Sequence, residues 1–164
     1  GREHALALAK RGAKVVVNDL GGARDGSGGS ASAAQAVVDE IIAAGGEAIA
    51  NSASVTDFAA VQAMVQETMD KWGRVDILIN NAGILRDKSF GKMELEDFRL
   101  VVEVHLMGSV NCCKAVWPIM VAQNYGRIMM TTSSSGLYGN FGQSNYSAAK
   151  LGLVGLMQDR KSVV

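Results

Sequence analysis

A tyrosine, a lysine and a serine near the end of the chain have the residue types and spacing for proton transfer to a carbonyl oxygen. Tyr146 and Lys150 are four residues apart, so a helix would place both side chains on one face. A phenol ionises near pH ~10, and a close ammonium group lowers that pKa by about 1–3 units. The hydroxyl of Ser133, thirteen residues before Tyr146, can hold the same oxygen. These three residues are candidates for general acid–base chemistry.

The same spacing also has ordinary explanations. A tyrosine four residues before a lysine is common on helix surfaces, where the pair contributes a few tenths of a kcal/mol. A serine- and threonine-rich run after a strand, here residues 131–135, is most often a loop or a helix cap. The assignment therefore depends on where the rest of the chain places these side chains.

Composition limits the function classes. The chain has 164 residues, 48% hydrophobic content and a formal net charge of +0, which suits one globular domain. It shows neither a basic nucleic-acid footprint nor a polybasic membrane patch, and no apolar run approaches the roughly 18 residues of a membrane span. Cys112 and Cys113 are adjacent, which fits neither a disulfide framework nor a metal site. We therefore predict no nucleic-acid, membrane or metal partner, and a reducing, cytoplasmic location.

The elements that position the candidate residues alternate between strands and helices. A continuous β-branched run at 14–19 is typical of a strand that is buried on both faces of a parallel sheet. The helix at 94–123 contains Pro118, where we predict a kink. This alternation predicts an α/β fold with a Rossmann-type, doubly wound parallel sheet. The predicted strands are 14–19, 47–50, 75–79 and 126–130, and the predicted helices are 2–11, 31–44, 57–72, 94–123 and 146–158.

Ligands of such sheets bind at the carboxyl ends of the strands. Asp19, the segment Asn80–Gly83 and Ser133 all follow predicted strands, so the sequence predicts that they line one crevice. The glycine-rich segment 20–30 follows a later strand rather than the first one. We therefore interpret it as a flexible loop and not as a phosphate cradle.

These motifs, taken together, resemble the short-chain dehydrogenase/reductase family. The matching residues, in the family's order and at its separations, are Asn80-Asn81-Ala82-Gly83, Ser133, Tyr146 and Lys150. Finer features resemble one branch, the (3R)-hydroxyacyl-CoA dehydrogenase domains of peroxisomal multifunctional enzymes. They are Asn18-Asp19-Leu20-Gly21-Gly22, the segment 82–87 and the segment 138–146.

The resemblance implies that the chain is a fragment. Gly1 would be the last glycine of the family's phosphate-binding loop, so the first strand and the C-terminal strands would be missing. Residues 1–158 would form part of a dinucleotide-binding short-chain dehydrogenase domain, and 159–164 would be a non-native tail. In the family's strand order the missing first strand is central. We therefore expect the 164 residues alone to be neither stable nor active.

The family's catalytic roles transfer onto matching positions. Tyr146 would be the proton donor or acceptor, and Lys150 would bond the nicotinamide ribose and favour the tyrosine's ionised form. Ser133 would orient the substrate oxygen. His105 stands where the family usually has a catalytic asparagine. It is either a core histidine satisfied by backbone groups or part of a water relay behind Lys150.

The cofactor-binding positions transfer in the same way. Asn81, Ala82 and Gly83 would line the cofactor crevice, and Ser54 and Val55 would flank the adenine. Ala53 departs from the family, many of whose members have an aspartate there that contacts the adenine amino group.

The predicted cofactor is NAD rather than NADP. Asp19 ends the second family strand, where a carboxylate accepts hydrogen bonds from the ribose hydroxyls and repels a 2′-phosphate. We expect an oxidoreductase that moves hydride between the nicotinamide and a secondary alcohol or ketone, with an acyl-CoA-like substrate of the 3-hydroxyacyl type, in a homo-oligomeric parent protein. The alternatives are an NADPH-dependent 3-oxoacyl-carrier-protein reductase and a non-catalytic dinucleotide-binding module.

Overall fold

The computed structural model describes residues 1–28 and 32–158, and within these the chain forms two compact units. The first unit is Gly1–Ser54 and the second begins at Val55. Three sequence-based predictions lie outside the described residues: the end of the glycine-rich loop at Ser30, the helix start at Ala31, and the tail 159–164.

The first unit is a two-stranded parallel sheet packed against two helices. Strands β1 and β2 pair from Lys14↔Glu47 to Asn18↔Asn51. Its core consists of Ala5, Val38, Ile41 and Ala48, all of them buried. The elements are α1 (Arg2–Ala9), β1 (Lys14–Asn18), α2 (Ser32–Ala43) and β2 (Glu47–Asn51).

The second unit contains another parallel pair of strands, in register from Ile77↔Arg127 to Asn80↔Met130. Val65, Val116 and Met120 form a buried cluster beside this pair. The elements are α3 (Phe58–Trp72), β3 (Ile77–Asn80), a 3₁₀ turn (Phe90–Lys92), α4 (Leu95–Val102), a π-helical turn (Glu103–Met107), α5 (Gly108–Ala122), β4 (Arg127–Met130), α6 (Ser134–Tyr138) and α7 (Ser144–Met157).

The prediction of an α/β fold with parallel strands is confirmed. Each of the two strand pairs joins strands that are neighbours in the Rossmann order. The helix predicted at 57–72 is observed as α3. Asp57 caps this helix by accepting from the amide of Ala60 at 3.1 Å, and Gly73 ends it with a left-handed φ of 72°.

The long helix predicted at 94–123 contains an irregular turn that was not predicted from the sequence. The π-helical turn at Glu103–Met107 separates α4 from α5, whereas α5 continues through Pro118. At the end of this turn a Cβ atom on Gly108 would lie 2.6 Å from Cγ2 of Val55. The close approach of Val55 therefore requires a glycine where the turn ends. A π turn of this kind often marks a functional site.

Candidate active site

Tyr146 and Lys150 lie on consecutive turns of α7, and their side chains meet. The lysine Nζ is 5.4 Å from the centroid of the tyrosine ring. Lys150 is only 3% exposed, and its Nζ donates to the carbonyl oxygen of Thr131 at 2.5 Å. Burial lowers the pKa of Lys150, because desolvation disfavours the charged ammonium. A buried cation beside a half-buried phenol is a rare arrangement for a surface pair, so the ordinary explanation of the spacing does not describe this one.

Ser133 occupies the N-cap of α6, a short helix in a segment that was predicted to be a loop. Its Oγ accepts from the amide of Ser135 at 3.2 Å. Helix α6 packs closely on α7. A Cβ atom on Gly136 would lie only 2.9 Å from the backbone nitrogen of Leu151, so there is no room for a side chain at this position. The absence of a side chain at Gly136 therefore lets α6, which begins after Ser133, pack tightly against α7.

His105 lies in the π-helical turn and contacts Tyr146 edge to face. The ring centroids are 5.2 Å apart with an interplanar angle of 90°. The imidazole is 3% exposed, and its Nε2 lies 2.8 Å from the carbonyl oxygen of Ile84. Burial lowers the pKa of His105, the bond to Ile84 opposes that shift, and the charge of Lys150 adds to it. His105 is therefore held by backbone groups, as a core histidine would be, but it is held beside the candidate acid.

The loop after β3 approaches this histidine. A Cβ atom on Gly83 would lie 2.2 Å from Cε1 of His105, so only a glycine fits without a shift. Asn81, Ala82 and Gly83 are exposed, whereas the side chain of Asn80 is buried and donates to the Met129 carbonyl oxygen at 3.4 Å. The loop thus starts from a buried amide at the end of β3 and presents its next three residues to solvent.

Val55 is the remaining cofactor-binding candidate of the second unit. Its carbonyl oxygen accepts from Asn111 Nδ2 at 2.9 Å, and its side chain packs against Gly108. The second unit therefore contains Val55, the loop Asn81–Gly83, His105, Ser133, Tyr146 and Lys150. The direct contacts among them join Gly83 to His105, His105 to Tyr146, and Tyr146 to Lys150.

The other three candidates belong to the first unit. Asp19 follows β1 and is exposed, and its Oδ1 accepts from the amide of Gly21 at 2.7 Å. Gly21 has a φ of 77°, so this tight turn favours glycine. Gly1 is exposed at the start of α1, where its carbonyl oxygen accepts from Ala5 at 3.1 Å. Ser54 is the last residue of the unit.

Sequence reasoning missed Asn145, the residue that fixes the first turn of α7. It is 0% exposed, its Nδ2 donates to the carbonyl oxygen of Arg86 at 3.0 Å, and its Oδ1 accepts from the amide of Tyr146 at 2.7 Å. The sequence carried a signal, because an asparagine within the first turn of a helix usually has a side-chain-to-backbone partner. Its long-range partner Arg86 was not readable from that pattern.

Other site types have little support in the described residues. Residues 1–28 and 32–158 contain no cluster of three or more His, Cys, Asp or Glu residues that could hold a metal ion. Within the same ranges, no helix combines the length and apolar character needed to cross a membrane. Both cysteines are free thiols, and burial raises the pKa of Cys112 to about 11, so it is a poor nucleophile near neutral pH.

Comparison with known families gives a direct assignment. The family model described as short chain dehydrogenase matches residues 1–162. The chain belongs to this family. Its members are oxidoreductases that bind NAD(P), and the resemblance seen in the Asn80–Gly83, Ser133 and Tyr146–Lys150 motifs is confirmed.

Two relatives differ in name and in extent. The peroxisomal multifunctional enzyme type 2 of Drosophila melanogaster is 60% identical over 156 residues, which are 95% of this chain and 26% of the fly protein. A 3-oxoacyl-[acyl-carrier-protein] reductase of Synechocystis is 48% identical over 155 residues, covering 94% of this chain and 60% of the reductase. The chain therefore spans about a quarter of one relative and three fifths of the other.

A solved structure supports the same fold. The crystal structure of a short chain dehydrogenase from Mycobacterium avium matches this chain with a TM-score of 0.83 and 45% sequence identity. The matched region covers 94% of this chain and 57% of the mycobacterial chain. The Rossmann-like α/β prediction is thereby confirmed.

The prediction of a cytoplasmic location is wrong. Relatives from Drosophila melanogaster, Dictyostelium discoideum, Saccharomyces cerevisiae and Mus musculus, at 60, 58, 56 and 54% identity, are all named peroxisomal enzymes. The error came from reading two adjacent cysteines as a marker of location. Two adjacent cysteines do not distinguish the cytoplasm from a peroxisome.

Proposed function

We propose that residues 1–158 are part of the dinucleotide-binding domain of an NAD-dependent oxidoreductase. This enzyme transfers hydride between the nicotinamide and the carbinol or carbonyl carbon of a 3-hydroxyacyl-CoA-type substrate. The observation that carries the proposal is the buried Lys150 ammonium 5.4 Å from the ring of Tyr146, on one face of α7. The peroxisomal names of four relatives support a peroxisomal location.

In this proposal Tyr146 is the group that exchanges a proton with the substrate oxygen. The Lys150 charge beside it stabilises the phenolate that remains when the phenol has donated. Thr131 holds the lysine by accepting from its Nζ, which fixes that charge next to the ring. Ser133, at the start of α6, donates its hydroxyl hydrogen to the same substrate oxygen and orients it.

The residues present fit a dinucleotide. Lys150 has protons left to donate after its bond to Thr131, and the three exposed residues after Asn80 offer backbone groups to a ligand. We assign the nicotinamide ribose to Lys150 and Tyr146 and the crevice wall to Asn81, Ala82 and Gly83. Ser54 and Val55 would flank the adenine, and Gly1 would contribute to the phosphate site. The bound nicotinamide supplies the hydride acceptor or donor.

The choice of NAD over NADP rests on Asp19. Its carboxylate is exposed at the carboxyl end of β1, and its Oδ1 accepts from the amide of Gly21. Within residues 1–28 and 32–158 no hydrogen bond engages its Oδ2, so we assign the ribose hydroxyls to that oxygen. A 2′-phosphate at this position would meet a negative charge, and the nearest following cation in sequence is Arg24.

His105 has a positioning role in this proposal rather than a relay role. Its Nε2 contacts the backbone nitrogen and the carbonyl oxygen of Ile84. Its ring leaves room only for a glycine at position 83. It therefore fixes the loop that follows β3 against the edge of Tyr146. The relay role stays a prediction that rests on Nδ1, which has no partner among the described residues.

One other function has specific support. The 48% identity to a 3-oxoacyl-carrier-protein reductase favours the reverse chemistry on a protein-bound acyl chain. A non-catalytic dinucleotide-binding module is disfavoured, because such a module has no need to bury a lysine beside a tyrosine. We also propose that the intact enzyme is a homo-oligomer.

The test uses the intact enzyme that carries this chain, since the chain spans only 26% of the fly relative. NADH formation is followed with (3R)- and (3S)-3-hydroxyacyl-CoA, and NADPH oxidation is followed with 3-oxoacyl-CoA and 3-oxoacyl-carrier protein. We expect the highest kcat/KM with a 3-hydroxyacyl-CoA and NAD. A higher value with 3-oxoacyl-carrier protein and NADPH would favour the reductase. No turnover in any arm, with NAD still bound, would favour the binding module.

A further inference from the structure

Three segments around the candidate catalytic residues converge on one glutamine. Gln143 lies immediately before α7, three residues before Tyr146, and its side-chain amide bonds to each segment. Its Nε2 donates to Oδ2 of Asp87 at 2.8 Å, and its Oε1 accepts from Ser135 Oγ at 2.9 Å and from Asn140 Nδ2 at 2.9 Å. None of these residues was predicted to have a catalytic or binding role, although Asp87, Asn140 and Gln143 lie in the segments 82–87 and 138–146 that resemble the family branch.

The partners fix which way the amide points. A carboxylate can only accept, so the nitrogen of Gln143 must face Asp87. The oxygen of Gln143 then faces Asn140 Nδ2 and the Ser135 hydroxyl, and both of these groups can donate to it.

The oxygen side of Gln143 connects α6 to α7. Ser135 is the residue whose backbone amide donates to Ser133 Oγ, and its own hydroxyl donates to Gln143. Ser133 and Tyr146 are therefore linked through two hydrogen bonds and the three-residue step from Gln143 to Tyr146. Both hydroxyls must reach one substrate oxygen, so their separation matters for the reaction.

The side-chain nitrogen of Gln143 connects the start of α7 to the loop after β3. Besides the Asp87 bond, the amide of Lys88 donates to the Gly142 carbonyl oxygen at 2.9 Å, and Asn145 donates to Arg86. Of these contacts, only the bond between Asp87 and Gln143 joins two side chains. Substitutions at these two positions can therefore exchange the donor and the acceptor of this hydrogen bond without changing the backbone.

We propose that Gln143 is a positioning residue for the Ser133 and Tyr146 pair, and that the Asp87 carboxylate sets the orientation of its amide. The proposal rests on the proposed function, because it assumes that Ser133 and Tyr146 act on one oxygen. Gln143 orients these groups by holding α6, α7 and the loop after β3 together. It does not exchange a proton itself.

The test is a polarity swap in the intact enzyme. Gln143→Glu keeps the acceptor for Ser135 and Asn140 but places a carboxylate against Asp87. We expect kcat to fall on the order of 10–100-fold, the scale of a catalytic group misplaced by about 1 Å, while the Kd for NAD is unchanged. Asp87→Asn alone keeps an acceptor oxygen and should change kcat less than about threefold. In Asp87→Asn/Gln143→Glu the new amide donates to the new carboxylate, so kcat should return to within about threefold of the unsubstituted enzyme.

The matched control is Gln66→Glu. Gln66 Nε2 donates to Asp70 Oδ1 at 2.7 Å on the exposed face of α3, so this change creates the same carboxylate pair away from the candidate site. It should leave kcat unchanged. Thermal unfolding midpoints of all variants show whether a low kcat comes from loss of the fold. Recovery of kcat in the double variant shows that the hydrogen bond between residues 87 and 143 positions Ser133 and Tyr146.

Two outcomes would overturn the proposal. Near-normal kcat in Gln143→Glu would show that the amide orientation is irrelevant. A low kcat that Asp87→Asn fails to restore would show that Gln143 acts on the substrate directly. Tyr146→Phe in the same assay distinguishes a failure of the Gln143 proposal from a failure of the proposed function. Full activity of Tyr146→Phe would contradict the catalytic assignment itself.

Discussion

The Nε2 atom of His105 lies 2.8 Å from the carbonyl oxygen of Ile84 and 3.1 Å from its amide nitrogen. A neutral ring nitrogen either donates to the first or accepts from the second. The shorter contact favours Nε2–H as donor, which leaves Nδ1 with a lone pair and no partner among the described residues. This histidine joins the π-helical turn to the loop after β3, beside the ring of Tyr146.

Removing that bond should destabilise the loop after β3. His105→Phe keeps an aromatic ring against Tyr146 but leaves the part-buried carbonyl oxygen of Ile84 without this donor, at a cost of about 1 kcal/mol. We expect a lower thermal unfolding midpoint and a lower kcat. Hydrogen exchange of the amides at 83–86 should become faster. Unchanged exchange there would show that His105 does not hold this loop.

Stability should depend on pH through the same histidine. Burial lowers the folded-state pKa of His105 below its usual value near ~6.5. Between those two pKa values the unfolded chain binds more protons, so the free energy of unfolding rises with pH. We therefore expect the free energy of unfolding to decrease as the pH falls below about 6.5. This decrease should end once the pH is below the lowered pKa of the folded state.

The measurement is the thermal unfolding midpoint of the intact enzyme between pH 5 and 7.5. His105→Gln should flatten the dependence in this window. The matched control is His4→Gln, which replaces an exposed histidine on α1. Equal slopes in the two variants would contradict the assignment.

Gly83→Ala should be costly for a steric reason. The added methyl group would lie 2.2 Å from a His105 ring that is buried and bonded, so something must shift. We expect a destabilisation of about 1–3 kcal/mol in denaturant unfolding. Gly91→Ala is the control, because a Cβ atom there meets nothing within 4 Å. Combining Gly83→Ala with His105→Ala should cost less than the sum of the two single changes.

Most of the elements could be predicted from local patterns. The β-branched run from Lys14 gives β1 because such side chains suit a half-buried pleated surface, and Asp57 and Gly73 delimit α3 by capping. The pair Tyr146 and Lys150 could be placed on one helix face because the helical period alone decides that.

The parts that could not be predicted depend on long-range contacts. The π-helical turn ends where Val55 approaches Gly108, more than fifty residues away in the chain, and no apolar period records that approach. Gln143 looked like an ordinary polar residue before a helix, because its partner Asp87 is 56 residues away. The short helix α6 was hidden because its residues, Ser134–Tyr138, also suit a loop.

Cofactor preference should change when the Asp19 carboxylate is removed. We expect Asp19→Ala to raise kcat/KM for NADP relative to NAD, because the repulsion of a 2′-phosphate and the acceptor for the ribose hydroxyls are both lost. Asp25→Ala is the control, since it removes a carboxylate from the following loop, where Asp25 accepts from Ser27. A preference for NADP in the unsubstituted enzyme would contradict the choice of NAD.

The most direct test of the account is the turnover of Tyr146→Phe in the intact enzyme, measured together with its Kd for NAD. The substitution keeps the ring beside Lys150 and His105. It removes only the hydroxyl, the group that we propose exchanges the proton. General acid–base groups typically contribute 10²–10⁴-fold, so kcat should fall by about that factor while NAD still binds. Lys150→Ala, by contrast, should weaken NAD binding as well as turnover. Near-normal kcat in Tyr146→Phe would contradict the central claim that Tyr146 is the catalytic acid and base.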